Sequence, residues 1–296
     1  MTTAAQASPA AFVHALLELG KPRLSALVMV TTAGGIWLAP GRIGAVRGLV
    51  TLLMTTAAVA AANTLNCFLE RTTDARMKRT RTRPLVTGAL SPSVALAYGL
   101  TLATVSVAAL ALFVNGLAAA LAGLAIVSYV ALYTPMKFRS PHAVIVGALP
   151  GAIPPLLGWS AVTGRIDPGG MALFALMFVW QLPHFLAIAL YLREDYGRAG
   201  IRVLPLTHGD AATRVCLSLY ALVFVPVSLS LTRLHVAGTA YLVVAGVSGL
   251  AYFAWSLTGF KAGAGTRWAR GMMLGSIVHL SLLFVVLALD TVRSGP

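Results

Sequence analysis

Acid is what this chain lacks most. Of its 296 residues only eight are Asp or Glu, against 22 Lys and Arg, and charged residues of every kind make up 10%. Ordinary soluble domains carry about 25% charged residues, so this composition, 58% hydrophobic, excludes one. Cysteine is scarce too: Cys67 and Cys216 stand alone, with no disulfide or zinc spacing. Walker and GxGxxG glycine loops are missing, which makes a nucleotide a poor candidate ligand. The residues before Lys21 lack a basic stretch and a small-residue cleavage site, so no signal peptide is expected.

Between Arg83 and Lys137 no charged side chain occurs, and the run breaks only near Asn115-Gly116. A membrane helix takes about 20 apolar residues, so that run holds two passes joined by a tight turn. Read throughout, the pattern predicts an all-α polytopic membrane protein with nine transmembrane helices. They fall at 24–40, 46–68, 93–114, 117–134, 143–162, 171–192, 212–232, 235–257 and 271–291. One domain spans 1–296, behind a short tail at 1–20.

The net charge of +14 could suggest nucleic acid, but its distribution points to topology. Nine passes put 17 Lys and Arg on one face and five (Arg42, Arg47, Arg165, Arg233, Arg293) on the other. The positive-inside rule then places the N-terminus in the cytoplasm and the C-terminus outside. No nucleic-acid partner is expected.

Half of the scarce acid lies in two clusters. One is Asn66-Cys67-Phe68-Leu69-Glu70-Arg71-Thr72-Thr73-Asp74, and the other is Tyr191-Leu192-Arg193-Glu194-Asp195-Tyr196. Asn66, Glu70 and Asp74, spaced four apart, lie about 40° from one another on a helix, with Asn63 on the same stripe. Two carboxylates at i and i+4 repel, so a cation between them gives the arrangement a reason. The bland alternative is a solvated face in which Asp74 pairs with Lys78. Carboxylates beside dense basic residues suit a magnesium diphosphate, with oxygen ligands for the metal and cations for the phosphates. One ion at Glu70 and Asp74 and another at Asp195 would hold the diphosphate between the loops. Arg71, Lys78, Arg79, Arg81, Lys137 and Arg202 are candidate phosphate partners. Apolar walls below a polar mouth point to a lipid diphosphate.

The two regions also echo each other. A shift of 121 residues sets Asp74 on Asp195, Arg81 on Arg202, Pro84-Leu85 on Pro205-Leu206 and Gly88 on Gly209. Such a repeat predicts a pseudo-symmetric bundle with its ligand at the repeat interface.

The run from Asn66 to Leu85, Asn-Cys-x-x-Glu-Arg-x-x-Asp-x-x-Met-x-Arg-Thr-x-x-Arg-Pro-Leu, resembles the first signature of the UbiA superfamily of intramembrane prenyltransferases. Tyr133-Thr134-Pro135-Met136-Lys137, Gly151 to Trp159, and Trp180-Gln181-Leu182-Pro183-His184-Phe185 continuing to Tyr196 are similar to its haem-farnesylating branch. Lys21-Pro22-Arg23 and Val203-Leu204-Pro205 also fit, and the likeness covers roughly residues 20–215. The resemblance implies a UbiA-like bundle around a central cavity in a bacterial-type inner membrane, with the active site on the cytoplasmic side. It implies farnesyl diphosphate and haem B as substrates, haem O as product, magnesium as cofactor, and a downstream haem A synthase or oxidase assembly as a partner.

Carried over by position, Asn66, Glu70 and Asp74 form the first metal-diphosphate motif and Asp195 belongs to the second. The second motif departs from the general Asp-x-x-x-Asp, since Tyr191 and Ala199 flank Asp195 at four residues, which leaves Glu194 as its partner. Trp159, Trp180, Phe185 and Tyr191 are aromatic candidates for facing an allylic cation. His184 is read either as a haem contact or as an interhelical hydrogen-bond partner near Gln181. Another prenyltransferase of the superfamily, or a lipid-anion transporter, would share many of these features. A transporter's expected mark, ionisable residues near the bilayer midplane, is missing from the predicted helix interiors.

Overall fold

Charge-free sequence becomes helix throughout this chain, because a backbone in lipid must satisfy its own polar groups. The structure, a computed structural model, describes residues 8–292; residues 1–7 of the tail and Arg293 lie outside them. Helix α1 (Pro9–Leu19) opens on Ser8, whose side chain accepts a hydrogen bond from the Ala11 amide. Next come α2 (Pro22–Leu38), α3 (Ala45–Asp74), α4 (Pro92–Phe113) and α5 (Gly116–Met136). They are followed by α6 (Ala143–Thr163), α7 (Pro168–Tyr191), α8 (Gly209–Arg233), α9 (Thr239–Phe260) and α10 (Thr266–Leu289). Among the described residues there is no strand, only an isolated bridge between Ala237 and Thr291.

Eight of these helices, α3 to α10, are long and apolar enough to cross a membrane. The ninth expected span forms as α2, which at 17 residues sits at the short end of the spanning range. It is wedged into the bundle all the same. A Cβ on its Gly35 would overlap the Pro155 carbonyl of α6, and one on Gly158 of α6 would overlap the Thr32 carbonyl of α2. Small residues at this crossing let the two backbones nearly touch.

The predicted end of the second span, residue 68, falls six residues short of the end of α3 at Asp74. The carboxylates are therefore on the helix and not in a loop. Their helical geometry survives because both side chains are buried and partnered.

Two core clusters flank the centre. One packs α3, α4, α5 and α6 around Leu110, Ile153 and Leu157; the other packs α2 and α6 to α10 around Leu173, Phe224, Tyr241 and Leu283. The echo is visible in the backbone. Each loop ends in a short helix with proline in its first turn, Pro84–Thr87 and Leu204–Thr207. Each then reaches a glycine with positive φ, Gly88 at 79° and Gly209 at 84°, a conformation that costs other residues steric strain.

Candidate functional site: a carboxylate-lined cavity

A cavity of about 490 Å³ runs between α2, α3, α5, α6 and α7, with its polar end at the loops after α3, α5 and α7. Its floor is apolar (Val28, Ala58, Ala62, Ile126, Ile153, Leu157). Helix α3 supplies the polar wall: Asn63, Asn66, Glu70 and Asp74 all face the cavity and all are buried. The predicted stripe is therefore real and inward-facing, not a solvated face.

Each of these side chains is held by at least one group outside α3, Asn63 by donating to the Gly20 carbonyl at 3.4 Å. Asn66 donates from Nδ2 to Glu70 Oε1 at 2.5 Å and to Thr134 Oγ1 at 3.0 Å, and its Oδ1 accepts from Lys21 Nζ at 3.3 Å. Lys137 Nζ pairs with the same Glu70 Oε1. Asp74 pairs through Oδ2 with Arg83 Nη1 at 2.5 Å, not with Lys78. Its other oxygen, Oδ1, is buried and has no hydrogen-bond partner. Lone anionic oxygens in a protein interior are costly, so a cation at the cavity mouth fits this position. Among the described residues no three His, Cys, Asp or Glu side chains cluster closely enough to hold a metal. A magnesium ion here would take its remaining oxygens from water and substrate phosphate, as that ion commonly does.

Burial lowers the pKa of the Lys21 amine, and likewise that of Lys137, where the Glu70 carboxylate opposes the shift. Lys21 also holds a left-handed backbone, φ 51°, at the break between α1 and α2, so its main chain is strained where its side chain meets the site. Across the mouth, Arg79 hydrogen-bonds Tyr196, whose phenol pKa is raised by burial. The Arg202 amide donates to the Lys137 carbonyl at 2.9 Å, which ties the loop after α7 to the end of α5.

Helix α5 widens into a π turn over Ser128–Tyr133, just before Pro135, which has no N–H to continue the ladder. Such turns are frequent at functional sites. This one brings Tyr129 and Tyr133 into a stack at 5.4 Å, and both line the cavity.

Of the residues singled out from sequence, Asn66, Glu70, Asp74, Arg79, Lys137, Arg202 and His184 line this cavity. Arg71 folds back on the Phe68 carbonyl and ring, and Arg81 is exposed on the loop. Lys78, Glu194 and Asp195 line a separate pocket of about 410 Å³ beside Arg193, Arg214 and Trp268. There Asp195 is paired with Arg198. The next residue, Tyr196, faces the main cavity, so the second acidic loop forms the partition between the two.

Among the proposed aromatics, Phe185 lines the cavity, Trp159 is buried in the core, Tyr191 faces the second pocket, and Trp180 stacks on His184. Lys21, Arg83 and Tyr129 carry parts of the site for which sequence reading gave no role. Proximity to a motif was the sole signal for the first two. His184 hydrogen-bonds Ser276, not Gln181, whose amide donates to the Ala148 and Met177 carbonyls. His279, at the middle of α10 and buried, is an imidazole that the midplane argument overlooked.

The chain is similar to known proteins in sequence and in fold. The UbiA prenyltransferase family matches residues 28–283. Protoheme IX farnesyltransferase of Anaeromyxobacter dehalogenans is 54% identical over 282 residues, covering 95% of each chain. The enzyme of the same name from Myxococcus xanthus is 51% identical over 277 residues, 94% of each. A solved digeranylgeranylglyceryl phosphate synthase superposes with a TM-score of 0.80 at 15% identity, over 94% of this chain and 98% of that one. A UbiA homologue from Archaeoglobus fulgidus, bound to GPP and Mg2+, gives 0.64 at 17% identity over 93% and 99%. Those two likenesses establish the fold. With the family match and relatives more than half identical along nearly the whole length, the chain belongs to the UbiA prenyltransferase family and is an intramembrane prenyltransferase.

Proposed function

We propose that this protein transfers the farnesyl group of farnesyl diphosphate to a vinyl carbon of haem B, forming haem O and releasing diphosphate. The observation that carries the reading is the joining of two chemistries in one cavity. Buried carboxylates and cations stand at its mouth, and an imidazole, His184, stands deeper on α7. The relatives that match at 51–54% identity bear the name of this activity.

Asn66, Glu70 and Asp74 would hold magnesium, which when bound supplies positive charge against the departing diphosphate. Lys21, Arg79, Lys137 and Arg202 are placed to take the phosphate oxygens. Arg71, Lys78 and Arg81 point elsewhere and are left to the loop's general positive field. The carbon–oxygen bond of the farnesyl ester breaks with its electron pair on the diphosphate. The vinyl carbon then bonds the allylic cation, and water adds to the new cation next to the ring with loss of a proton. Tyr129, Tyr133 and Phe185 wall off bulk water from the first cation and present ring faces to it. Glu194 and Asp195 would act as the second metal motif once the Asp195–Arg198 pair opens.

The protein is further proposed to lie in a bacterial inner membrane, N-terminus and active site cytoplasmic, C-terminus outside, and to hand its product to haem A synthase or oxidase assembly. Appearance of haem O from haem B and farnesyl diphosphate tests the reaction.

A further inference from the structure

Helix α10 contributes no side chain to the cavity wall, yet it sets the state of one that stands there. Several hydrogen bonds converge on Ser276, a fully buried residue of α10 whose side chain also meets the Tyr252 phenol. The serine hydroxyl donates to the Met273 carbonyl at 2.6 Å. Its backbone carbonyl accepts from Trp180 Nε1 at 2.8 Å. Its Oγ also lies 2.7 Å from His184 Nδ1.

A hydroxyl has one proton to give, and here the Met273 carbonyl, which can only accept, takes it. With that proton committed, Ser276 Oγ accepts in the remaining bond and His184 Nδ1 carries the hydrogen; the ring also hydrogen-bonds the Met273 carbonyl, so both partners are acceptors. The neutral ring then has an unprotonated Nε2, the nitrogen left for a ligand in the cavity that His184 lines. Ring orientation is set as well as tautomer. Trp180, held by Ser276, stacks on the imidazole at 4.9 Å and 18°, and Phe185 lies against it at 5.7 Å.

We infer that Ser276 is a positioning residue: it locks His184 in the Nδ1–H form so that Nε2 offers its lone pair to the haem iron. The inference rests on the reading that haem B occupies this cavity. An imidazole that donates its far N–H to a fixed acceptor is a more basic and better-oriented ligand, and losing such a partner costs about 10- to 100-fold in metal affinity. The alternative role for Ser276 is hydrogen-bonded contact between α7 and α10 alone.

The test uses purified protein in lipid nanodiscs with haem B and no farnesyl diphosphate. The Soret band and, in the ferrous state, the iron–histidine stretch by resonance Raman are read for wild type, Ser276→Ala and Ser276→Thr. Ser276→Ala should weaken haem binding about tenfold and shift the iron–histidine line, while farnesyl diphosphate binding stays as in wild type. Ser276→Thr, which keeps the hydroxyl, should restore both. Should Ser276→Ala fail to accumulate, Ser276→Cys, similar in size but a poor acceptor, is read the same way. An unchanged line and unchanged haem affinity in the variant lacking the hydroxyl would overturn the inference. His184→Ala separates this from the underlying reading. If it too binds haem like wild type, haem does not contact His184 at all; if it alone loses the iron–histidine line, only the role of Ser276 falls.

Discussion

Asp74 and Arg83, nine residues apart, meet at 2.5 Å between Oδ2 and Nη1, while the second carboxylate oxygen of Asp74 stays buried and unpartnered. The two oxygens differ: one anchors the loop after α3, and the other faces the cavity mouth with no hydrogen-bond partner, where the proposed metal ion would sit. Asp74→Asn should keep the anchoring hydrogen bond through its amide oxygen and lose the charge at the mouth. Transfer should fall at least about 100-fold, the scale of losing one group that stabilises developing charge. Yield, membrane insertion and melting temperature should stay near wild type, and near-normal turnover would remove Asp74 from the metal site.

Glu70, buried, pairs with the half-buried Lys137, and removing the amine leaves the carboxylate with only the Asn66 amide as partner. Lys137→Met should destabilise by about 3 kcal/mol, in the range for orphaning a buried partner. Combining it with Glu70→Gln should recover most of that stability without recovering activity. Thermal unfolding of the four proteins of this cycle in one detergent reads the coupling; additive losses would mean that the two side chains do not depend on each other.

Much of this is legible in the sequence. Charge-free runs located the long helices because charge is so costly in lipid, and spacing of four put Asn66, Glu70 and Asp74 on one stripe. What fixes those side chains was not legible. Lys21, Arg83 and the pair Thr134 and Lys137 come from three different segments, and nothing in their local sequence says which carboxylate or amide each will reach. The length of α3 was underestimated because polar residues look like the end of a span, whereas here they continue the helix into a polar cavity. Ser276 gave no signal at all. A serine in an apolar helix is common, and its meaning depends on His184, 92 residues away.

Asp195 and Glu194 face the second pocket, so their part in metal binding needs movement of the Arg193–Arg198 helix. Asp195→Asn should raise the magnesium concentration for half-maximal activity about tenfold, consistent with loss of one coupling of ~1.4 kcal/mol. Glu194→Gln should do less. An unaltered magnesium dependence in Asp195→Asn would confine the metal site to α3.

Topology is testable without chemistry. In a background with Cys67→Ala and Cys216→Ala, the exposed positions Thr82 and Ala211 should, as cysteines, be shielded from an impermeant thiol reagent in intact cells. Arg165→Cys, on the opposite face, should react. The reverse pattern would put the active site outside the cytoplasm.

The central claim is tested most directly by incubating the purified protein in nanodiscs with haem B, farnesyl diphosphate and magnesium, and following the haem pigment and free diphosphate together by chromatography. Haem O and diphosphate should appear in equal amounts, and both should stop when the divalent cation is chelated and resume when it is restored. Haem B recovered unchanged, or a product formed without release of diphosphate, would contradict the account.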